Sequence, residues 1–124
     1  MTPNDEITAV RKPLDQYIKG HQTRKSDVMR AAFLPTARIE AIAANGFSSL
    51  DIDTFCGFFD GIPATDETKR IRTVDSIDVY QSVAMARVTL IHGITKFTDM
   101  FVLLKQATGE WKIANKAYHS ETIG

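Results

Sequence analysis

From Arg70 to Ser120 apolar and polar positions alternate in four long runs rich in β-branched and aromatic residues. The alternation predicts strands near 70–80, 82–92, 95–106 and 110–120, with hairpin turns at Gly93-Ile94 and Ala107-Thr108-Gly109. The first half has a different period. Ile7, Val10, Leu14, Tyr17 and Ile18 recur at helical spacing and form one apolar stripe. Thr2 as N-cap, Pro3 at the first helical position and Asp5 in the first turn mark where that helix starts. Pro13 inside the stripe predicts a kink or a division, and Gly20 predicts the end. Ser26 caps a second, short helix through Val28, Met29, Ala32 and Phe33, stopped by Pro35. Arg38 to Ala43 alternates and leads into Asn45-Gly46, which reads as a short hairpin with a tight turn. Asp51 caps a third helix, Ile52 to Phe59, closed by Gly61 and Pro63, and residues 64–69 read as a polar loop.

A long antiparallel sheet after a helical half predicts an α+β fold: a strongly curved sheet with helices closing one face over a pocket. No repeat, low-complexity tract or linker divides the 124 residues, so they read as a single domain over 1–124.

The turns set the register, and register sets which side chains share a face. A two-residue turn at Gly93-Ile94 pairs Leu90 with Phe97, Val88 with Asp99 and Ala86 with Phe101. The turn around Thr108 is expected to bring Phe101 near Asn115, Asp99 near Ala117 and Phe97 near His119. One face then carries Ala84, Ala86, Val88, Leu90, Phe97, Asp99, Phe101, Leu103, Trp111, Ile113, Asn115 and His119, and suits packing under helices. The other carries Val83, Met85, Arg87, Thr89, Thr98, Met100, Val102, Leu104, Lys112, Ala114, Lys116 and Tyr118. Three helices cannot cover both faces, so the second is expected to be a subunit interface and the protein a homodimer through it.

Charge and composition narrow the partners. Fifteen basic residues balance fifteen acidic ones, which predicts neither nucleic acid nor an anionic membrane as a partner. The apolar runs are too short to span a bilayer, and the polar N-terminus is unlike a signal peptide. Cys56 stands alone and cannot form an internal disulfide, which together with these features points to the cytoplasm. Phosphate loops, nucleophile elbows and paired-cysteine motifs are absent, and three histidines without ligand spacing predict no metal and no cofactor.

Asp99 interrupts an otherwise aromatic strand on the inward face. A carboxyl group there costs several kcal/mol unless it is paired or hydrogen-bonded. It reads either as a polar anchor or general base, or as a structural acid bonded to helix backbone or a basic side chain. His119, diagonal to it, is the candidate proton-transfer partner, or else a solvated residue near the chain end. Asp75 joins this cluster if the turn near Gln81 places it opposite Ala86. Tyr17, Phe33, Phe55, Phe59, Phe97, Phe101, Trp111 and Asn115 complete the expected pocket, with Tyr17 as the hydrogen-bond donor. The aromatic residues equally fill a solid core. His21 reads as a residue of the pocket mouth or of an exposed loop, and His92 as exposed beside a turn.

Four segments carry a resemblance: Tyr17-Ile18-Lys19-Gly20, Ala32 to Ala37, Phe97 to Lys105, and Gly109 to His119. In this order they resemble the Putative lumazine-binding family, within the nuclear transport factor 2-like superfamily and near the SnoaL-like polyketide cyclases and ketosteroid isomerases. The resemblance implies a cone-shaped α+β roll, three helices packed into a bent sheet, a pocket at the wide end and usually a dimer. Where such sequences often carry Phe-His-Pro, this chain has Phe33-Leu34-Pro35. In ketosteroid isomerases the catalytic acid lies on the first short strand; here that position falls at Ala41, with Glu40 pointing the other way. The expectation is a small-molecule binder of unknown ligand. The alternatives are a cofactor-free isomerase or lyase using Asp99 with His119 or Tyr17, and an interaction domain with a filled core.

Overall fold

The computed structural model describes residues 3–124, so the expected cap at Thr2 lies outside the described residues. Helices α1 (Pro3–Thr23), α2 (Ser26–Arg30) and α3 (Ile52–Cys56) pack on strands β1 (Phe33–Ala43), β2 (Gly46–Asp51), β3 (Ile71–Tyr80), β4 (Val83–His92), β5 (Thr95–Lys105) and β6 (Trp111–Thr122). The strands form one six-stranded sheet in the order β2-β1-β6-β5-β4-β3. β1 and β6 run parallel, and the other neighbours are antiparallel. The sheet is curved, mixed and open, the α+β arrangement the sequence predicts.

The curvature has a local cause. The register shifts between Val74 and Ser76 on β3, between Phe33 and Arg38 on β1, and opposite Val102 and Leu103 on β6. Each irregularity bends its strand and increases its twist, which folds the sheet around α1.

α1 is one continuous helix through Pro13. A proline in a helix interior costs about 3 kcal/mol. Val10, Leu14 and Tyr17, on both sides of it, are fully buried, and each such side chain contributes about 1.5–3 kcal/mol. Burial therefore outweighs the local penalty. Gly20 does not end the helix; α1 runs on to Thr23, and Arg24 at φ 54° turns the chain out of it. That left-handed residue is held from outside: its carbonyl accepts from Gly61 N at 2.6 Å, and its guanidinium donates to the Phe58 carbonyl at 2.9 Å and Asp60 Oδ1 at 3.2 Å. Gly20 serves contact instead. A Cβ there would lie 2.8 Å from the Met29 Cα, so α2 can approach α1 only over a glycine.

α2 ends at Arg30, and Phe33 opens β1 rather than closing the helix. Pro35 sits inside β1, in the stretch where pairing with β6 shifts, so its missing N–H costs no ladder bond. The β1–β2 turn is Ala44-Asn45, one residue earlier than expected, with Gly46 at φ 114° opening β2. Asp51 caps α3 by accepting from Thr54 N at 2.8 Å, but α3 stops at Cys56 rather than Phe59.

β4 and β5 pair in the expected register, Leu90 with Phe97, Val88 with Asp99 and Ala86 with Phe101. β5 and β6 do not. Leu103 faces Ile113, but Val102 faces Asn115, which leaves Ala114 as a bulged extra residue. Beyond it every β6 side chain exchanges faces. Phe101 pairs with Lys116, Asp99 with Tyr118 and Phe97 with Ser120. Lys116 turns inward and is buried, whereas Asn115 and His119 are exposed. Their expected inward placement is thus corrected by one bulge. Asp75 is corrected for the same reason. It is the residue skipped in β3, Ile77 takes the place opposite Ala86, and Asp75 faces outward to accept from Thr89 Oγ1 at 2.5 Å.

Candidate functional site

The buried polar centre of the fold is a triad from three elements. Tyr17 comes from α1, Asp99 from the middle of β5, and Lys116 from β6 just past the bulge. The Tyr17 hydroxyl donates to Asp99 Oδ2 at 2.5 Å and accepts from Lys116 Nζ at 2.8 Å. Lys116 Nζ also lies 3.7 Å from Asp99 Oδ2. Asp99 is 0% and Lys116 5% exposed. The ammonium of Lys116 is further seated among rings, 5.0 Å from the Tyr17 centroid, 4.9 Å from Phe55 and 5.0 Å from Tyr118. Such contacts compensate part of the cost of desolvating a cation.

One turn beyond Tyr17, His21 packs edge-on to it at 4.8 Å and reaches Phe59 at 5.5 Å and His92 at 5.6 Å. It is half-buried in α1, with its Nε2 atom buried, rather than part of an exposed loop. His92, expected to be exposed, is half-buried. It accepts from Arg72 Nε at Nε2 over 3.2 Å, and Arg70 Nη1 lies 3.3 Å from its Nδ1. Arg72 is held in turn by both Glu67 oxygens at 2.5 and 2.9 Å.

These environments fix the protonation states. Burial, then the neighbouring Asp99, pushes the Tyr17 phenol well above its usual range, so it stays a donor. Burial, then the charges of Lys116 and Arg72, holds the His21 imidazole well below its usual range. Burial with Arg72 and Arg70 lowers His92 to about 4. Burial lowers Lys116, against the opposing pull of Asp99. Both histidines are neutral at pH 7.

Above the triad lies a cavity of about 160 Å³ walled by Tyr17, His21, Ile39, Leu50, Phe55, Phe58, Leu90, His92, Phe97, Asp99, Lys116 and Tyr118. Two polar atoms in its walls are buried without a protein hydrogen-bond partner, Asp99 Oδ1 and His21 Nε2. The side chains around the cavity thus include an acceptor without a partner, an imidazole nitrogen that accepts or donates according to tautomer, and an ammonium with one N–H given to Tyr17.

Of the residues expected here, Tyr17, Phe55, Phe97 and Asp99 line the cavity. Phe33 and Phe101 are buried one layer behind, edge-on to Tyr17 at 6.0 and 5.0 Å. Phe59 backs His21 and Phe55, and Trp111 is buried beside Pro13 in a separate groove. Asn115, His119 and Asp75 face outward, so none meets the cavity and His119 cannot exchange a proton with Asp99. Lys116 and Tyr118, expected on the outer face, line the cavity because the bulge at Ala114 turns them inward. The signal was compositional: a lysine among alternating apolar residues, opposite an aromatic strand that holds one acid.

On β1, Ile39 points into the cavity, while Glu40 lines a groove on the opposite face with Met85 and Met100. No β1 carboxylate therefore reaches Asp99. Among the described residues no group of three or more His, Cys, Asp or Glu side chains could hold a metal. No described helix is long and apolar enough to cross a membrane.

Helices packed into a bent six-stranded sheet are a shape shared with known proteins. The family profile described as Putative lumazine-binding matches residues 5–119. The chain belongs to the Putative lumazine-binding family. It is similar to a nuclear transport factor 2-like protein of unknown function from Shewanella baltica OS155, at 26% identity over 98% of each chain with a TM-score of 0.87. It is also similar to one from Methylobacillus flagellatus KT, at 27% identity over 98% of this chain and 96% of that one with a TM-score of 0.83. A ketosteroid isomerase-like protein from Erwinia carotovora atroseptica SCRI1043 shares the fold at 12% identity, 98% coverage of each chain and a TM-score of 0.70. No functionally curated protein matches the sequence. Family membership thus fixes the fold and leaves the chemistry of the Tyr17–Asp99–Lys116 triad to be argued from its geometry.

Proposed function

We propose that this family member is a small-molecule-binding protein whose ligand occupies the cavity above the triad. One observation carries the reading. Asp99 Oδ1 and His21 Nε2 are both buried, both unpaired and both on residues of the same cavity wall. Each such atom costs about 1–3 kcal/mol while it lacks a partner, and a ligand that supplies partners recovers that cost. The volume of about 160 Å³ matches a cavity of ~150 Å³ that takes one benzene-sized ring. A two-ring pterin or a four-ring steroid exceeds it in this conformation.

Thermal unfolding with benzene, phenol and 2-pyridone tests the reading, because a ligand of the native state raises Tm with concentration. At least one should raise it, and Leu50→Phe, which fills the cavity, should abolish the rise. No shift with any of the three would favour an interaction domain with a filled core.

A cofactor-free isomerase or lyase is the second reading. It is supported by the unpartnered Asp99 Oδ1 and the neutral His21 imidazole, both on residues that line one cavity and both of types able to take or give a proton. Tyr17 and Lys116 already engage the other carboxyl oxygen, and no second carboxylate lines the cavity among the described residues. For that reason binding is preferred. Asp99→Asn separates the two, since it abolishes turnover in an enzyme and only weakens a binder.

We further propose a homodimer through the outer sheet face, supported by Met85 at 56% and Met100 at 54% exposure with Val83, Val102 and Leu104 exposed around them. The cytoplasm is the proposed location, supported by Cys56, a free and buried thiol.

A further inference from the structure

We propose that the ligand is a planar one-ring lactam or cyclic imide, read through the N–H and C=O of its cis-amide edge. The inference rests on the small-molecule reading above and adds to it a chemical class.

The polar groups of the wall are asymmetric. The Tyr17 hydroxyl has spent its proton on Asp99 Oδ2 and accepts from Lys116, so it has no donor left for a ligand. Asp99 Oδ1 has no partner and can only accept from a ligand N–H or O–H while the group is ionised. Lys116 Nζ spends one N–H on Tyr17 and stands 3.7 Å from Asp99 Oδ2, beyond hydrogen-bond length, so it retains N–H groups for a ligand acceptor. An acceptor and a cationic donor from paired neighbouring side chains complement a donor and an acceptor side by side on one ligand edge. A cis-amide presents that pair without rotatable bonds. His21 Nε2, also unpaired, can meet a second carbonyl or N–H by choosing its tautomer, which extends the class from lactams to cyclic imides.

Shape agrees with charge. The remaining wall is aromatic and aliphatic, with Phe97, Tyr118 and Leu90 in it, and the volume of about 160 Å³ admits one ring. A carboxylate ligand is disfavoured because it would bring a second negative group to Asp99 Oδ1. An amine ligand is disfavoured because Lys116 already occupies the space between Tyr17, Phe55 and Tyr118. A hydrocarbon would leave Asp99 Oδ1 and His21 Nε2 unpaired.

The test is an amide-resolved NMR titration of the wild-type protein with benzene, toluene, 2-pyridone and N-methyl-2-pyridone. Toluene controls for the added methyl group. The proposal expects 2-pyridone to shift resonances at residues 17, 21, 99 and 116, with a Kd at least about tenfold below that of N-methyl-2-pyridone, the scale of one hydrogen bond to a charged group. Equal affinity for the two pyridones, or tighter binding of toluene than of 2-pyridone, overturns the lactam class and leaves a ring-binding cavity. Failure of all four to shift those residues overturns both this inference and the small-molecule reading.

Discussion

Ile113 and Lys116 lie three residues apart on β6 and yet point to the same face of the sheet. Their partners on β5, Leu103 and Phe101, are two apart. The extra residue, Ala114, converts a strand that would expose its lysine into one that buries it against Asp99. The site depends on that bulge, and its neighbour Asn115 supports it: Asn115 Oδ1 accepts from the Arg38 backbone N at 3.1 Å where β1 and β6 resume their parallel register.

Removing that acceptor should loosen the bulge. Asn115→Ala should lower the unfolding free energy by about 1 kcal/mol, the net worth of one hydrogen bond. Asn115→Asp, which keeps the acceptor, should cost less. Urea denaturation of the three proteins compares them directly.

The bulge also marks the boundary of what the sequence revealed. The β4–β5 register followed from a two-residue turn at Gly93-Ile94, because alternation is rigid over an unbroken ladder. One unpaired residue on β6 and one on β3 reversed Asn115, His119, Lys116, Tyr118 and Asp75 together, and nothing in an alternating pattern marks which residue will be skipped. Asp99 could be placed because it lies on a strand without an irregularity. The local preference of glycine points to a helix end at Gly20, yet α1 runs on to Thr23. The actual role of Gly20, contact with Met29, is a tertiary fact. Pro13 was outvoted by the buried stripe around it.

Gly20→Ala should destabilise the protein despite the better helix propensity of alanine. The added Cβ meets Met29 Cα at 2.8 Å, a backbone atom that cannot swing away. Overpacking of this kind costs about 1–3 kcal/mol, more than the gain of about 1 kcal/mol from replacing a helical glycine. Thermal unfolding should show a lower Tm, and a higher one would contradict the role given to this glycine.

Within the triad, removing one member should cost more than removing two. Lys116→Met leaves Asp99 buried beside a phenol without its cation, and breaking a buried pair in this way costs about 3–5 kcal/mol. Combining it with Asp99→Asn should restore a substantial part of that loss. An additive double-mutant cycle in chemical denaturation would show that the two side chains are not coupled.

Acid should weaken the fold through His21 and His92. Burial and neighbouring cations hold both below the ordinary 6.5, well below for His21 and at about 4 for His92. As pH falls through that ordinary value the unfolded chain takes up protons first, so stability is full above about 6.5 and declines toward about 4. His21→Phe should flatten the fall in Tm between about pH 7 and about pH 5 relative to wild type. An unchanged slope would exclude His21 as a source.

The outer face yields a separate prediction. Light scattering at micromolar concentration should give the mass of two chains, and Met85→Asp with Met100→Asp should give one, since both methionines are more than half exposed in the single chain. A one-chain mass for the wild type would rule out the sheet-face dimer.

The most direct test of the binding site is a crystal structure of the protein soaked with 2-pyridone. A flat ring with an N–H within hydrogen-bond distance of Asp99 Oδ1 and its oxygen toward Lys116 Nζ is the predicted result. Ordered water alone in that cavity at saturating compound, or a ring bound only elsewhere on the molecule, would contradict it.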